Sequence, residues 1–226
     1  AYQSMAKANP TNVAPLVSIA RLYASQKDVA KAMEAARSAR KVAPDDVDVA
    51  KVLGALAYEM HDYSWAANLL QDAARRQPDD PELLYDAAKA LYSVGKVSEA
   101  EALVRDALNP PGPAKLPSLA LNVTPSAPDP LVTSTAKPAF GRADEAREFL
   151  ALLNFAATPS ATPAPEIEQA LKKSPDSVSA LMALGASQEL KPDASAARST
   201  YEKVLTQFPD FSPAKRRLDV LGAGAA

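Results

Sequence analysis

Pro10, Pro44 and Pro78 stand 34 residues apart, and one further step of 34 reaches Gly112, between Pro111 and Pro113. Pro175 and Pro209 repeat the interval later in the chain. A proline stops a helix because its ring clashes with the preceding turn and it has no N–H to donate. A stop every 34 residues leaves room for two short helices and their turns. Each such unit is too small to bury its own apolar face and must bury it against its neighbours. The chain is therefore expected to stack along one dimension instead of closing around one centre.

Within this frame the same residue types recur. The seventh position holds Ile19, Leu53 and Ala87; the eighth holds Ala20, Gly54 and Ala88; the twentieth holds Ala32, Ala66 and Ala100; the twenty-seventh holds Ala39, Ala73 and Ala107. Small residues at the eighth and twentieth positions let the two helices of a unit approach at the short end of the roughly 8–10 Å interaxial range. The small twenty-seventh position does the same for the next unit. Asn12, Asp46 and Asp80 are placed to cap the first helix of each unit, and Pro81 then takes the first helical position, where its missing N–H costs nothing. The proline spacing, the Leu53-Gly54 pair, Tyr23 and the recurrent alanines together resemble the tetratricopeptide repeat, a 34-residue helix-turn-helix. The resemblance implies an all-α fold, an α-solenoid of antiparallel helix pairs wound into a right-handed superhelix. The high alanine and proline content is similar to that of repeat proteins of high-GC bacteria, often envelope or secretion scaffolds.

Taken in order, residues 1–10 read as the end of a truncated preceding repeat, with Tyr2 and Met5 facing inward from its second helix. Three units follow within 11–112, at 13–46, 47–80 and 81–112. The first is expected to bury Leu16, Ile19, Leu22 and Tyr23, then Ala32, Ala36 and Ala39 from a helix starting near Asp28. Residues 113–141 break the pattern with closely spaced prolines, which favour extended backbone before each of them. Apolar residues such as Leu116, Leu121, Val123, Leu131 and Phe140 lead to the expectation of an ordered linker pinned to the array. The Asn122-Val123-Thr124 acceptor pattern is discounted because Pro125 follows it. Repeats resume over 142–211, with a degenerate unit at 144–177 and a regular one at 178–211. Three prolines between Ala157 and Pro165 cut the second helix of the degenerate unit to about Glu166–Lys173. Ser212 and Pro213 open a C-terminal capping helix and tail, 212–226, with Leu218, Val220 and Leu221 inward and Lys215, Arg216 and Arg217 in water.

Composition excludes several classes. The chain of 226 residues has a formal net charge of −2 and no block of like charges, so nucleic acid is not an expected partner. With no cysteine there is no disulfide, no thiolate nucleophile and no cysteine-ligated metal. No apolar run approaches the roughly 20 residues that span a bilayer. Periplasm and cytoplasm are both compatible with this composition, and the first residues carry no readable targeting signal. His61, the one histidine, sits beside Asp62 in a turn and reads as a turn residue. Arg40, Lys41, Arg75 and Arg76 close the second helices of units one and two, where cations offset the negative end of the macrodipole. No phosphate loop, metal-ligand spacing, catalytic triad or paired-carboxylate site emerges, so the expectation is a protein that is not an enzyme and needs no cofactor.

The resemblance implies that the first helix of each unit lines a concave groove through positions 2, 5, 6, 9, 12 and 13. Those positions bring forward Arg21, Lys51, Tyr58, Tyr85, Lys89 and Tyr92 as the groove residues that would hold a partner. Tyrosines interleaved with cations suit an extended peptide or protein segment, supplying flat amphipathic area with scattered hydrogen bonding and charge. Filling space between helices is the competing role for the three tyrosines. A two-carboxylate clamp for chaperone C-termini is not supported: the matching positions are Val17, Arg21, Val52, Glu82 and Asp86, and two of these are acidic. The functional expectation is an interaction scaffold that binds a peptide or protein segment in its groove. The alternative is a structural spacer or oligomerisation module of a larger bacterial envelope or secretion protein.

Overall fold

The structure, a computed structural model, describes residues 12–109 and 140–223. Among them are eleven α-helices and no strand. Three regular pairs come first: α1 (Ala14–Ser25) with α2 (Val29–Val42), α3 (Val47–Glu59) with α4 (Tyr63–Arg76), and α5 (Pro81–Ser93) with α6 (Val97–Leu108). Then come α7 (Ala143–Ala157), the short α8 (Pro165–Lys173), α9 (Val178–Glu189), α10 (Ser195–Gln207) and α11 (Ser212–Ala223). Each pair packs internally and onto the next, so the chain is an all-α solenoid. The expected repeat helix over 1–10, most of the linker at 113–139 and the tail at 224–226 lie outside the described residues.

The helix starts follow the capping residues. Asp46 accepts from the N–H of Val49 at 3.0 Å, and Asp80 from that of Leu83 at 3.1 Å. Asp28 and Asp62 do the same for α2 and α4. Asn12 departs from the pattern: α1 begins at Ala14, and the Asn12 side chain accepts from the Ala14 N–H two residues ahead. Pro81 opens α5 in its first turn.

Within a unit the eighth and twenty-fourth positions meet. A Cβ on Gly54 would lie 2.5 Å from Leu70 Cγ, and one on Gly185 would lie 2.5 Å from Tyr201 Cε1. Where the eighth position is alanine, as at Ala20 and Ala88, the twenty-fourth is the smaller Ala36 or Val104. Size at one position is traded against size at the other across the same helix crossing, and all eight residues are buried.

The two blocks of repeats form one body. α7 packs on α6, where the fourth unit of an uninterrupted array would sit, and α9 packs on α7. A single apolar cluster runs from Ala57 through Tyr85, Leu91 and Tyr92 to Leu181, Tyr201, Phe211 and Ala214. The loop after α10 reaches back to the first block. Phe208 lies 4.8 Å from Tyr63 between ring centres, and Phe211 lies 5.3 Å from Tyr92.

Two sequence expectations about the core are corrected. Leu22 is 46 % exposed and is not part of the apolar cluster that α1 forms with α2 and α3. Val220 is 63 % exposed, and α11 reaches the core through Ala214, Leu218 and Leu221 instead.

Candidate functional site

The six groove residues separate into two sets. Arg21, in the first unit, is exposed, its guanidinium 2.9 Å from Asp48 of the next unit. Lys51 is half-buried and pairs with Asp80, the capping residue of α5. Neither lines a shared cavity with the other four.

Tyr58, Tyr85, Lys89 and Tyr92 come together on one wall of a cavity of about 450 Å³. Tyr58 comes from α3 and the other three from α5, spaced so that one helical face carries them. The opposite wall belongs to the second block: Glu145, Glu148, Phe149 and Leu152 from α7, then Ala170 and Lys173 at the end of α8. Ser174, Asp176 and the start of α9 close one end, and Phe208 borders the other. The volume lies in the range of small-ligand and side-chain pockets.

The tyrosines are held, not free. Ser93 donates to the Lys89 carbonyl at 3.0 Å, so the Tyr58 hydroxyl is the donor in the 3.3 Å contact with Ser93 Oγ. Tyr85 and Tyr92 are each 5 % exposed. Phe149 meets both edge-on, with ring centres 6.1 and 5.3 Å away. Space-filling, the competing role for these residues, is thus part of what Tyr85 and Tyr92 do: the second block covers them. Burial pushes the hydroxyls of both well above the ordinary tyrosine value and also raises that of Tyr58. They remain neutral phenols throughout the physiological range.

Lys89 Nζ lies 5.7 Å from the centre of the Tyr58 ring, 5.2 Å from that of Tyr85 and 3.2 Å from Asp86 Oδ1. The ring quadrupoles and the carboxylate together hold the ammonium over the cavity wall.

Beside the cavity lies a contact that the sequence did not disclose. Arg142 Nε donates to Glu82 Oε2 at 2.6 Å and Nη1 donates to Asp86 Oδ1 at 2.8 Å. The Gly141 N–H donates to Glu82 Oε1 at 3.1 Å. The guanidinium carbon stands 5.1 Å from the centre of Tyr85, and Phe140 meets the same ring edge-on at 6.0 Å. Burial works against the Arg142 charge, but the hydrogen bonds and fields of Asp86 and Glu82 outweigh it, so the cation is held more firmly than usual. Glu82 and Asp86, one helical turn apart at groove positions 2 and 6, were the available signal. Two carboxylates on a groove face call for a cation, and Arg142 follows directly after the proline-rich segment.

Among the described residues no three His, Cys, Asp or Glu side chains gather as a metal site, and no helix is long and apolar enough to cross a membrane.

Two tetratricopeptide repeat family models match, over residues 57–110 and 164–210. Among solved structures, that of YrrB, described as a TPR protein with an unusual peptide-binding site, is 16% identical. The alignment covers 96% of this chain and 97% of YrrB, with a TM-score of 0.54. An O-GlcNAc transferase mutant from Thermobaculum terrenum is 21% identical over 71% of this chain and 25% of its own, with a TM-score of 0.49. A MamA structure is 16% identical over 86% of this chain and 91% of its own, with a TM-score of 0.47. No curated protein matches the sequence.

Proposed function

This chain is a tetratricopeptide repeat protein, and we propose that it is a non-enzymatic interaction scaffold that binds an extended peptide or protein segment in the cavity between its two repeat blocks. Stacked helix pairs present a long continuous surface, which suits a partner with no compact shape of its own. The observation that carries the reading is the convergence of Tyr58, Tyr85, Lys89 and Tyr92 with Phe149 and Phe208 around one cavity. Aromatic side chains already fixed in place lose little entropy when they bind, which is what makes such surfaces effective anchors. YrrB is described as having a peptide-binding site, and its likeness over the whole length is consistent with the same class of partner.

The test is an unbiased peptide library selected on the intact chain, followed by measurement on a cavity-filling variant. Ser174 is exposed and lines the cavity, so Ser174→Trp fills space without disturbing the core. Selected peptides are expected to bind the native chain and to lose affinity for Ser174→Trp by about tenfold or more, roughly 1.4 kcal/mol. Equal binding to both would move the partner surface elsewhere on the array.

A further inference from the structure

The chain already binds a short segment of itself beside the cavity, on the helix that supplies one cavity wall. Phe140-Gly141-Arg142 runs along α5 and is held by a guanidinium between Glu82 and Asp86, a backbone N–H on Glu82, and an aromatic ring against Tyr85. Carboxylates around an arginine and a tyrosine face beside it are the means by which a groove grips an extended basic peptide. Here they are satisfied within the molecule.

The cavity on the other side of Tyr85 repeats this chemistry with its charge left over. Two lysines line it, and both are matched: Lys89 shares Asp86, at 3.2 Å, with Arg142, which also holds Glu82, and Lys173 pairs with Glu148 at 2.8 Å. Three carboxylates line it, and Asp176 is shared with Lys203 at 3.1 Å. Glu145 is exposed and forms no ion pair among the described residues. It stands one turn before Phe149, whose ring meets Tyr85 and Tyr92. An anionic ligand entering here would face an excess carboxylate, while a cationic one would complete the pairing.

Resting on the reading of the cavity as the partner site, we propose that its occupant is an extended peptide segment carrying a cationic side chain, best an arginine, next to an aromatic or large aliphatic one. The cation faces Glu145, and its apolar neighbour lies against Phe149 and Tyr92. The chain's own Phe-Gly-Arg is the template for this chemistry, used in cis on the adjoining face.

The experiment measures fluorescence polarisation of labelled peptides on the intact 226-residue chain. The probes are Ala-Phe-Gly-Arg-Ala, the same peptide with glutamate for arginine, and the same peptide with alanine for phenylalanine. The arginine peptide is expected to bind most tightly, with each replacement weakening it by about fivefold or more. Glu145→Lys should erase the preference for arginine over glutamate and lower the thermal melt only slightly, because Glu145 is exposed but lies in the first turn of α7. A glutamate peptide that binds as well as the arginine peptide overturns this inference and leaves the cavity reading standing. Binding that survives Glu145→Lys but is lost in Glu82→Gln also overturns it, since the peptide would then be replacing Arg142. If none of the three binds, the inference falls, and the library selection with Ser174→Trp decides the cavity reading separately.

Discussion

Position 15 of each of the first three units is a residue in the left-handed backbone region: Lys27 at φ 61°, His61 at φ 63° and Gly95 at φ 82°. The conformation turns the chain between the two helices of a pair, and for a residue with a Cβ it costs roughly 1–2 kcal/mol. Lys27→Gly is therefore expected to leave the protein as stable or slightly more so, because relief of that cost offsets the extra freedom of the unfolded chain. Gly95 is different. A Cβ there would lie 2.5 Å from Ser212 Oγ and 2.9 Å from Pro213 Cδ, where α11 meets the first block. Gly95→Ala should destabilise by about 1–3 kcal/mol through strain and overpacking together, and chemical denaturation of the two variants side by side should give opposite signs. Gly54 is constrained only by space. Gly54→Leu should lower the melting temperature strongly, since even a Cβ there would lie 2.5 Å from Leu70 Cγ. A melt of Gly54→Leu equal to the native one would mean that positions 8 and 24 do not meet.

At the scale of one helix, α5 is tied to its neighbours through its cap. Asp80 accepts from Leu83 within the helix and from Lys51 of α3. Burial raises its carboxyl pKa, but the Lys51 hydrogen bond, the backbone N–H groups and the lysine's field outweigh that and hold it below the ordinary value of 3.8. The native state thus keeps Asp80 ionised at pH values where the unfolded chain takes up a proton. Its contribution is whole above 3.8 and is lost as pH falls through the lower, folded value. Asp80→Asn is expected to melt below the native chain near neutrality, and the gap should close as pH falls below 3.8; a gap that widens in acid would contradict the assigned pairing. α8 shows what the proline spacing could and could not convey. The prolines before it announced a short helix, and it is a short one, Pro165–Lys173. They did not announce that α7 and α9 would then pack directly on each other. That contact follows from the shortness of α8: with less helix between them, the first helices of two units bury their apolar faces together.

The whole molecule is closed by aromatic contacts between distant units, and these should be visible in its alkaline titration. Tyr63, Tyr85, Tyr92 and Tyr201 all have raised hydroxyl pKa values, chiefly because burial disfavours the phenolate; that of Tyr63 is pushed up to about 12. A folded-state pKa above the unfolded value of 10.0 stabilises below that value and ceases to do so as pH rises through the folded one. Phenolate absorbance is expected to show a late-titrating group of tyrosines that ionise only as helical structure is lost. Smooth titration near 10 with the helices intact would place these rings in water. The same seam predicts cooperativity. Phe211→Ala removes a fully buried ring packed on Tyr92 and should cost about 3–5 kcal/mol. It is also expected to split a single thermal transition into two as the blocks uncouple.

The sequence by itself determined the repeat, its period and the helix boundaries, because these depend on neighbours along the chain: Pro81 at a first turn, Asp46 and Asp80 at caps, Gly54 at a crossing. Helical spacing, which follows from residue number alone, also put Tyr85, Lys89 and Tyr92 on one face of α5, whereas Arg21 and Lys51, named with them and Tyr58 as groove residues, stand apart from their cavity. What only the tertiary structure decided is what stands opposite that face. Phe149, Phe208, Phe211 and Arg142 are far along the chain from α5, and no local pattern records that Arg142 would find Glu82 and Asp86 across the proline-rich segment. The physical reason is that such contacts depend on how the second block is oriented on the first. That orientation is set by the summed burial of many apolar groups at the seam, and period, cap and turn chemistry do not encode it.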